Sequence, residues 1–312
     1  MTDTTFEPVR SIPDLTGRVY FVTGGTTGLG AGFISFIAAQ NPAKIFFSGR
    51  NKARAEKLIS DVKVISPSTK VVFIECDLSN LSTVQQAAKH FLSKSDRLDV
   101  LMCNAGVMVL DPALSVDGYE IQFATNHLGH ALLIKLLLPA MLKTASQSPD
   151  SDVRIINLSS TAYTATPGSG IEFDTLKTTQ ASLGPFYVPS KFMRYGQSKL
   201  ANLLYPIELA RRHPSITSVA VHPGFIRTEL HSHENFMDRC LVSMVSGGNW
   251  TPVQKGPYTQ TWAATTVKTN LENGAYYEPI GVKVEPTTAL AKDKTLAKKL
   301  YDWTEQELAA YF

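Results

Sequence analysis

What most constrains this chain is an alternation that begins at residue 18, where short runs of β-branched and aromatic residues take turns with longer amphipathic stretches. RVYFVT (18–23) is followed by GLGAGFISFIAAQ (28–40), KIFFSG (44–49), KARAEKLISDVKVI (52–65) and KVVFIECD (70–77). Short apolar runs bounded by turn residues read as strands, and the stretches between them are long enough for crossover helices, which gives βαβαβ. The pattern continues through a helix near Leu81–Leu92, a strand LDVLMCN, a long helix from about Asp117 to Leu142, a strand VRIINLS, a helix from about Arg194 and a strand TSVAVHP. Strands this uniformly apolar belong to a parallel sheet with helices on both faces, so the predicted class is α/β.

At 312 residues, 44% hydrophobic and 18% charged, the chain can bury one large core, and residues 1–312 are read as a single domain. No fixed-period repeat or low-complexity segment interrupts it. Lys and Arg number 30 against 27 Asp and Glu, spread along the chain, and a net charge of +3 without a basic block argues against a nucleic-acid partner. Cys76, Cys103 and Cys240 are far apart and form neither a CxxC pair nor a metal-ligand spacing, which points to a reduced intracellular setting. The N-terminal MTDTTFEPVR is polar and the C-terminus matches no retention or peroxisomal signal, so a cytoplasmic location is expected. The most apolar stretch, Ala131–Leu142, contains Lys135 and Pro139 and is shorter than the roughly 20 residues of a spanning helix; no transmembrane segment is expected. Two stretches break the rhythm, 161–194 and 229–255, and loops of this length after strand ends are expected to be substrate-side lids or binding loops. Their Phe186, Tyr187, Phe236, Met237, Met244 and Trp250 would line an apolar pocket or serve as core.

Between the first strand and the first helix lies Thr23-Gly24-Gly25-Thr26-Thr27-Gly28-Leu29-Gly30. Glycines there permit a tight turn and close approach of a pyrophosphate, and the helix N-terminus offers free N–H groups and a positive dipole end. An ordinary turn would use glycine for backbone geometry alone, but the position after the first strand favours a dinucleotide. The second strand ends in Phe47-Ser48-Gly49-Arg50-Asn51, where a fold that prefers NAD places Asp or Glu on the ribose 2′-OH. No carboxylate stands there. Arg50 offers a planar fork of donors for a 2′-phosphate, so NADP(H) is expected over NAD(H), although a solvated arginine at a strand end has the same signature.

Tyr195-Gly196-Gln197-Ser198-Lys199 starts a helix that continues LANLLYPIELARR, so Tyr195 and Lys199 are i and i+4 on one face. A lysine ammonium there would favour tyrosinate, lowering a phenol pKa that starts at about 10. Such a tyrosine can protonate a carbonyl oxygen as hydride arrives, or deprotonate an alcohol in reverse. Tyr187-Val188-Pro189-Ser190-Lys191 has the same spacing, but Pro189 would lie inside the helical turn, which favours Tyr195. Asn157-Leu158-Ser159-Ser160 closes the fifth strand, where a serine hydroxyl would either stabilise charge on a substrate oxygen or cap the next turn. Asn104-Ala105-Gly106 and Pro223-Gly224, after the fourth and sixth strands, read as turns. His231-Ser232-His233-Glu234 has no further ligand spacing, so no metal is expected, and His127 and His130 read as packing or capping residues.

Together these segments resemble the short-chain dehydrogenase/reductase family, in order and spacing, from about Gly17 to Pro279. The matching pieces are Thr23-Gly24-x-x-x-Gly28-x-Gly30, Asp77 in CDL, Asn104-Ala105-Gly106, Asn126 in TNHLGH, Ser160 in NLSS, Tyr195-x-x-x-Lys199, and Pro223-Gly224 with Thr228. The resemblance implies a doubly wound Rossmann fold of about seven strands in the order 3-2-1-4-5-6-7. It also implies roles: Tyr195 as general acid/base, Ser160 polarising the substrate oxygen, Lys199 lowering the Tyr195 pKa and holding the nicotinamide ribose, and Asn126 anchoring a water that relays protons to Lys199. Asp77 would meet the adenine, Asn104 its ribose, Ile226 and Thr228 the nicotinamide carboxamide, and Arg50 the 2′-phosphate. Gly24, Thr26, Thr27, Gly28, Leu29, Gly30, Leu78, Ala105, Gly106, Pro223 and Gly224 complete the implied cofactor set.

Within the family, YGQSKLAN, NHLGHALL and NGAYYEP resemble the retinol-dehydrogenase-like branch, and DWTEQELAAYF resembles fungal members, which implies specialised metabolism. Ser160 and Tyr195 are 35 positions apart, longer than most members show, so neither substrate identity nor the N-terminal membrane anchor of many retinol-type members is carried over. The expected function is hydride transfer between NADP(H) and a carbonyl or alcohol carbon of a small apolar molecule. A silent NADP-binding regulatory or scaffold protein would keep the fold without turnover, and an epimerase or dehydratase using the same Tyr and Lys would consume no net cofactor. The apolar faces of the long helix and of the helix Tyr195–Arg212 are expected to pair across a two-fold axis in a homodimer, or to pack inside one subunit.

Overall fold

The structure, a computed structural model, describes residues 6–185, 188–226, 248 and 250–312. Its sheet has eight strands in the order β3-β2-β1-β4-β5-β6-β7-β8. β1 (Val19–Val22), β2 (Lys44–Gly49), β3 (Lys70–Glu75), β4 (Val100–Cys103), β5 (Arg154–Leu158), β6 (Thr217–Val221) and β7 (Tyr276–Glu278) are parallel. β8 (Val282–Lys283) adds an antiparallel edge beyond the seven expected strands, reached through Gly281 at φ +68°.

Strand side chains alternate between two cores. Val19, Phe21, Phe46, Leu101, Cys103 and Ile155 face one, with α4 (Leu81–Lys94), α5 (Ile121–Ala145), α6 (Ser190–Arg212) and α8 (Lys294–Glu307). Tyr20, Val22, Ile45, Phe47, Val100, Met102 and Ile156 face the other, with α2 (Gly28–Ala38), α3 (Lys52–Ile65) and α7 (Tyr258–Thr265); a one-turn α1 (Pro8–Ser11) precedes them. Period-two alternation within runs apolar on both sides is what a doubly covered sheet requires.

Two predicted helices start elsewhere than the sequence pattern places them. The stretch from Asp117 is not yet helical: Ser115 N–H donates to Tyr119 O at 2.7 Å across a turn closed by Gly118 at φ +82°, and α5 starts at Ile121. Asp-Gly is a turn signal in its own right. α5 is 25 residues long and by length and composition could cross a bilayer, unlike Ala131–Leu142 taken alone. Its Phe123, Leu128, Leu132, Leu133 and Leu137 are instead buried against the sheet. α6 starts at Ser190, directly after Pro189 with its extended ψ of 127°. Proline suits the edge of a helix because its missing N–H is not needed there.

Every residue of α6 from Met193 to Pro206 is buried within the one chain. α8 covers one side, stacking Tyr301 on Tyr205 at 5.4 Å. The described part of the 161–194 loop covers another: Glu172 N–H donates to Gln197 Oε1 at 3.1 Å, and Ile171 and Leu176 enter the core. Over these residues the loop, expected as a lid or binding loop, packs on its own chain, and of the two readings of the apolar face of α6, a two-fold axis or packing inside one subunit, the second describes these contacts. Asp293 caps α8 by accepting from Thr295 N at 2.7 Å and Leu296 N at 3.2 Å; that cap, with Leu296, Leu300 and Thr304 at helical spacing, is the signal for an element the strand-helix pattern missed.

Candidate active site

At the carboxyl ends of the strands, where the order reverses between β1 and β4, lies a cleft of about 350 Å³. Parallel sheets bind ligands at this switch point. Gly24, Thr26, Thr27, Gly28, Leu29, Arg50, Asp77, Leu78, Asn104, Ala105, Gly106, Tyr195, Lys199 and Pro223 line it. Gly30, Asn126, Ser160, Gly224 and Ile226 stand behind or beside these residues, and Thr228 lies outside the described residues, as do Tyr187, Phe186, Phe236, Met237, Met244 and the His231–Glu234 motif.

Two of the turn glycines are required by the protein's own packing. A Cβ on Gly24, at φ +63°, would lie 2.9 Å from Ala105 Cα, and one on Gly30 would lie 2.3 Å from Gly24 O. Gly28, at φ +56°, opens α2, and the Thr27 side chain makes no capping hydrogen bond, so the first-turn N–H groups have no side-chain acceptor. An uncapped helix start on a cleft fits a pyrophosphate. Arg50 is exposed at the rim, one residue past β2. Asp77 Oδ1 accepts from Ser79 N at 3.0 Å and Ser79 Oγ at 2.7 Å.

The turn is tied to the rest of the site by a network invisible in the motifs. Thr23 Oγ1 accepts from Asn104 N at 2.9 Å and Ala105 N at 3.0 Å. With both lone pairs used, its own proton goes to His130 Nε2, 2.8 Å away, so Nδ1 carries the imidazole proton and donates to Asn126 O at 2.9 Å. Burial pushes the His130 pKa down to about 4, which keeps it neutral. Asn104 Nδ2 donates to Thr23 O at 2.8 Å, and Gln260 Nε2 of α7 donates to Asn104 Oδ1 at 3.2 Å. The i,i+4 spacing of Asn126 and His130 was the available signal. His127 is a packing residue, with Nε2 3.0 Å from Thr304 Oγ1.

Asn126 lies in a π-helical stretch, Ala124–Leu128. Its Oδ1 accepts from Val107 N at 2.8 Å, and its Nδ2 donates to Val107 O and to Ser198 Oγ, both at 2.9 Å. A Cβ on Gly106 would lie 3.2 Å from Asn126 Oδ1 and 3.6 Å from Lys199 Nζ, so these groups crowd one spot.

The two serines separate cleanly. Ser159 Oγ donates to Lys199 O at 2.7 Å and is structural, whereas the Ser160 hydroxyl accepts from Ala162 N at 3.2 Å and lies near enough to the Tyr195 phenol to oppose the effect of its burial. Lys199 Nζ donates to Leu158 O at 3.0 Å and lies 5.6 Å from the Tyr195 ring centroid. Burial lowers the Lys199 pKa to about 8. Burial also raises the Tyr195 pKa well above its ordinary value, with the Ser160 hydrogen bond as the opposing influence. Of the competing pair, Lys191 lies in the first turn of α6, which starts at Ser190 after Pro189, and Tyr187 lies outside the described residues.

A family model for short chain dehydrogenase matches residues 18–171. An uncharacterized oxidoreductase of Schizosaccharomyces pombe is 37% identical over 303 residues, covering 95% of this chain and 86% of that protein. The short-chain dehydrogenase/reductase drtF of Aspergillus calidoustus is 32% identical over 310 residues, covering 96% of each. The crystal structure of an uncharacterized protein from Mycobacterium paratuberculosis matches with a TM-score of 0.71 at 27% identity, covering 97% of both chains. Similarity of this extent, over a Rossmann sheet with a Gly-rich cleft at its switch point, shows that the chain belongs to the short-chain dehydrogenase/reductase family of oxidoreductases.

Proposed function

We propose that this protein is an NADP(H)-dependent reductase that interconverts a carbonyl and a primary or secondary alcohol on a small apolar substrate. The observation that carries the proposal is the convergence at one cleft of the Tyr195 phenol, with Ser160 beside it, the Lys199 ammonium over its ring, and an uncapped helix start. Arg50 at the rim, with no carboxylate at the end of β2, favours a 2′-phosphate and hence NADP(H) over NAD(H). The first-turn N–H groups of α2 would hold the pyrophosphate, Asp77 and Leu78 the adenine end, and Asn104 to Gly106 its ribose. Pro223, Gly224, Ile226 and Thr228 would serve the nicotinamide end.

When bound, the dinucleotide supplies or accepts the hydride. Ser160 Oγ and Tyr195 Oη then hold the substrate oxygen. A phenol kept protonated by burial suits donation: Tyr195 gives its proton to the oxygen in reduction, and Lys199 stabilises the tyrosinate left behind. Asn126, beside Lys199, would anchor the water that returns the proton. Buried thiols at Cys76 and Cys103 are compatible with a cytoplasmic setting.

The test is fluorescence titration with NADPH and NADH, followed by a carbonyl panel read by nicotinamide absorbance, on the natural chain and on Tyr195→Phe. NADPH is expected to bind more tightly, and the variant to bind it while losing about 10²-fold or more of turnover. Full activity in Tyr195→Phe would overturn the mechanism, and turnover without net NADPH oxidation would redirect it to an epimerase or dehydratase.

A further inference from the structure

Beside Tyr195 the chain is pinned at two points separated by two residues. At Val107 both backbone groups are held by the Asn126 amide, at 2.8 and 2.9 Å. At Leu110 the carbonyl accepts from Arg194 Nη2 at 2.9 Å. Arg194 Nη1 in turn pairs with Glu120 Oε1 at 3.0 Å, and both side chains are fully buried. Glu120 is anchored as well: its N–H donates to Leu176 O at 2.8 Å, and its Oε2 accepts from Phe123 N at 2.7 Å. Between the clamps stand Met108 and Val109.

Val109 has φ +58°, a left-handed conformation that a β-branched residue rarely adopts. Such strain persists where surrounding contacts over-determine it, and the two clamps do so here. The result is a buried apolar cluster against the phenol: Met108, Val109 and Tyr195, with Ala162 and Phe192 packed on it and Val109 only 2% exposed. Met108 also lines the cofactor cleft.

We infer that Met108 and Phe192 determine the specificity of the proposed reaction, and that Val109, Arg194 and Glu120 are positioning residues for them. The wall takes a carbonyl with a bulky apolar substituent, such as an aryl ketone. A substrate oxygen at Tyr195 and Ser160 has polar partners, while its carbon substituents meet thioether and phenyl groups. Apolar substituents gain by burial there, and polar ones lose hydration without repayment. This inference rests on the reductase reading.

The experiment compares kcat/KM for acetophenone and butanone, with NADPH, in the natural chain, Val109→Gly, Met108→Ala and Arg194→Lys. Glycine accepts the left-handed conformation and leaves both clamps intact, so Val109→Gly is expected to fold; its thermal transition checks this. The natural chain should prefer acetophenone, and the acetophenone/butanone ratio should fall about tenfold in Val109→Gly and in Met108→Ala. Arg194→Lys keeps a charge opposite Glu120 but lacks the fork that reaches Leu110 O, so its KM for acetophenone should rise more than its kcat falls. A natural chain that prefers butanone, or unchanged ratios in both wall variants, overturns the wall while leaving the reductase standing. NADPH oxidation with other carbonyls of the panel but with neither ketone overturns the wall alone, and oxidation with none of them overturns the reductase reading and this inference with it.

Discussion

An ammonium buried as Lys199 is loses hydration that the neutral amine hardly misses, which is why its pKa falls to about 8. In the proposed mechanism that ammonium stabilises tyrosinate, so kcat/KM for carbonyl reduction should fall as pH rises through about 8; a pH–rate profile flat to about pH 10 would contradict the role. The same shift bears on stability. Between the folded pKa and the ordinary 10.5, the unfolded chain binds a proton that the native state does not, so the penalty is full below about pH 8 and lifts as pH rises toward 10.5. Arg50 carries the other residue-scale prediction. Arg50→Ala should weaken NADPH by about 10- to 100-fold, as expected for loss of a charge-assisted hydrogen bond, and NADH far less, read by the same titration. Tyr195, Lys199 and Arg50 were legible because each sits at a fixed offset from a strand end or helix start. Ser160 is chosen over Ser159 only by the family resemblance, because both hydroxyls close the same strand and the bond that occupies Ser159, to Lys199 O on α6, is a tertiary contact.

At the scale of elements, α6 shows how packing overrides local preference. A Cβ on Gly196 would lie 1.9 Å from Ala165 O and 2.7 Å from Ala162 O, because the turn carrying Ser160 packs directly on the helix. Alanine is a better helix former by about 1 kcal/mol, yet Gly196→Ala should destabilise the protein by about 1–3 kcal/mol, since backbone carbonyls must move to admit the methyl group. It should also depress kcat by displacing Ser160. Urea denaturation and turnover of the one variant check both effects. The helix itself was expected from its periodicity, but its start four residues earlier, at Ser190, follows from Pro189. The π-helical stretch at Asn126 leaves no mark in the hydrophobic pattern, because apolar spacing through α5 continues on either side of it.

On the scale of the whole molecule, three histidines among the described residues are buried and held neutral: His127 down to about 3, His130 and His222 down to about 4. Below the ordinary value of 6.5 the unfolded chain binds protons that the native state refuses, so their contribution is present above about pH 6.5 and is lost as pH falls toward 4. Urea denaturation at about pH 5 should show a stability lower by about 2 kcal/mol for each histidine than at about pH 7. Equal stabilities at the two pH values would mean that these side chains are hydrated or paired. His127 and His130 lie on α5, and His222 follows β6, so this sensitivity belongs to the assembled core.

Local patterning carried the doubly wound sheet, the order of its elements and the glycine turn, because strand burial, helical periodicity and left-handed turns depend on residues near one another in the chain. The fold decided the rest: the tautomer of His130, the role of Ser159, the covering of α6 by α8, and the left-handed Val109 beside the phenol. Each of these rests on a contact between groups tens of positions apart, such as Thr23 with His130, Lys199 with Ser159, Tyr205 with Tyr301, or Leu110 with Arg194. No pattern along the chain encodes such a contact until the sheet brings its ends together.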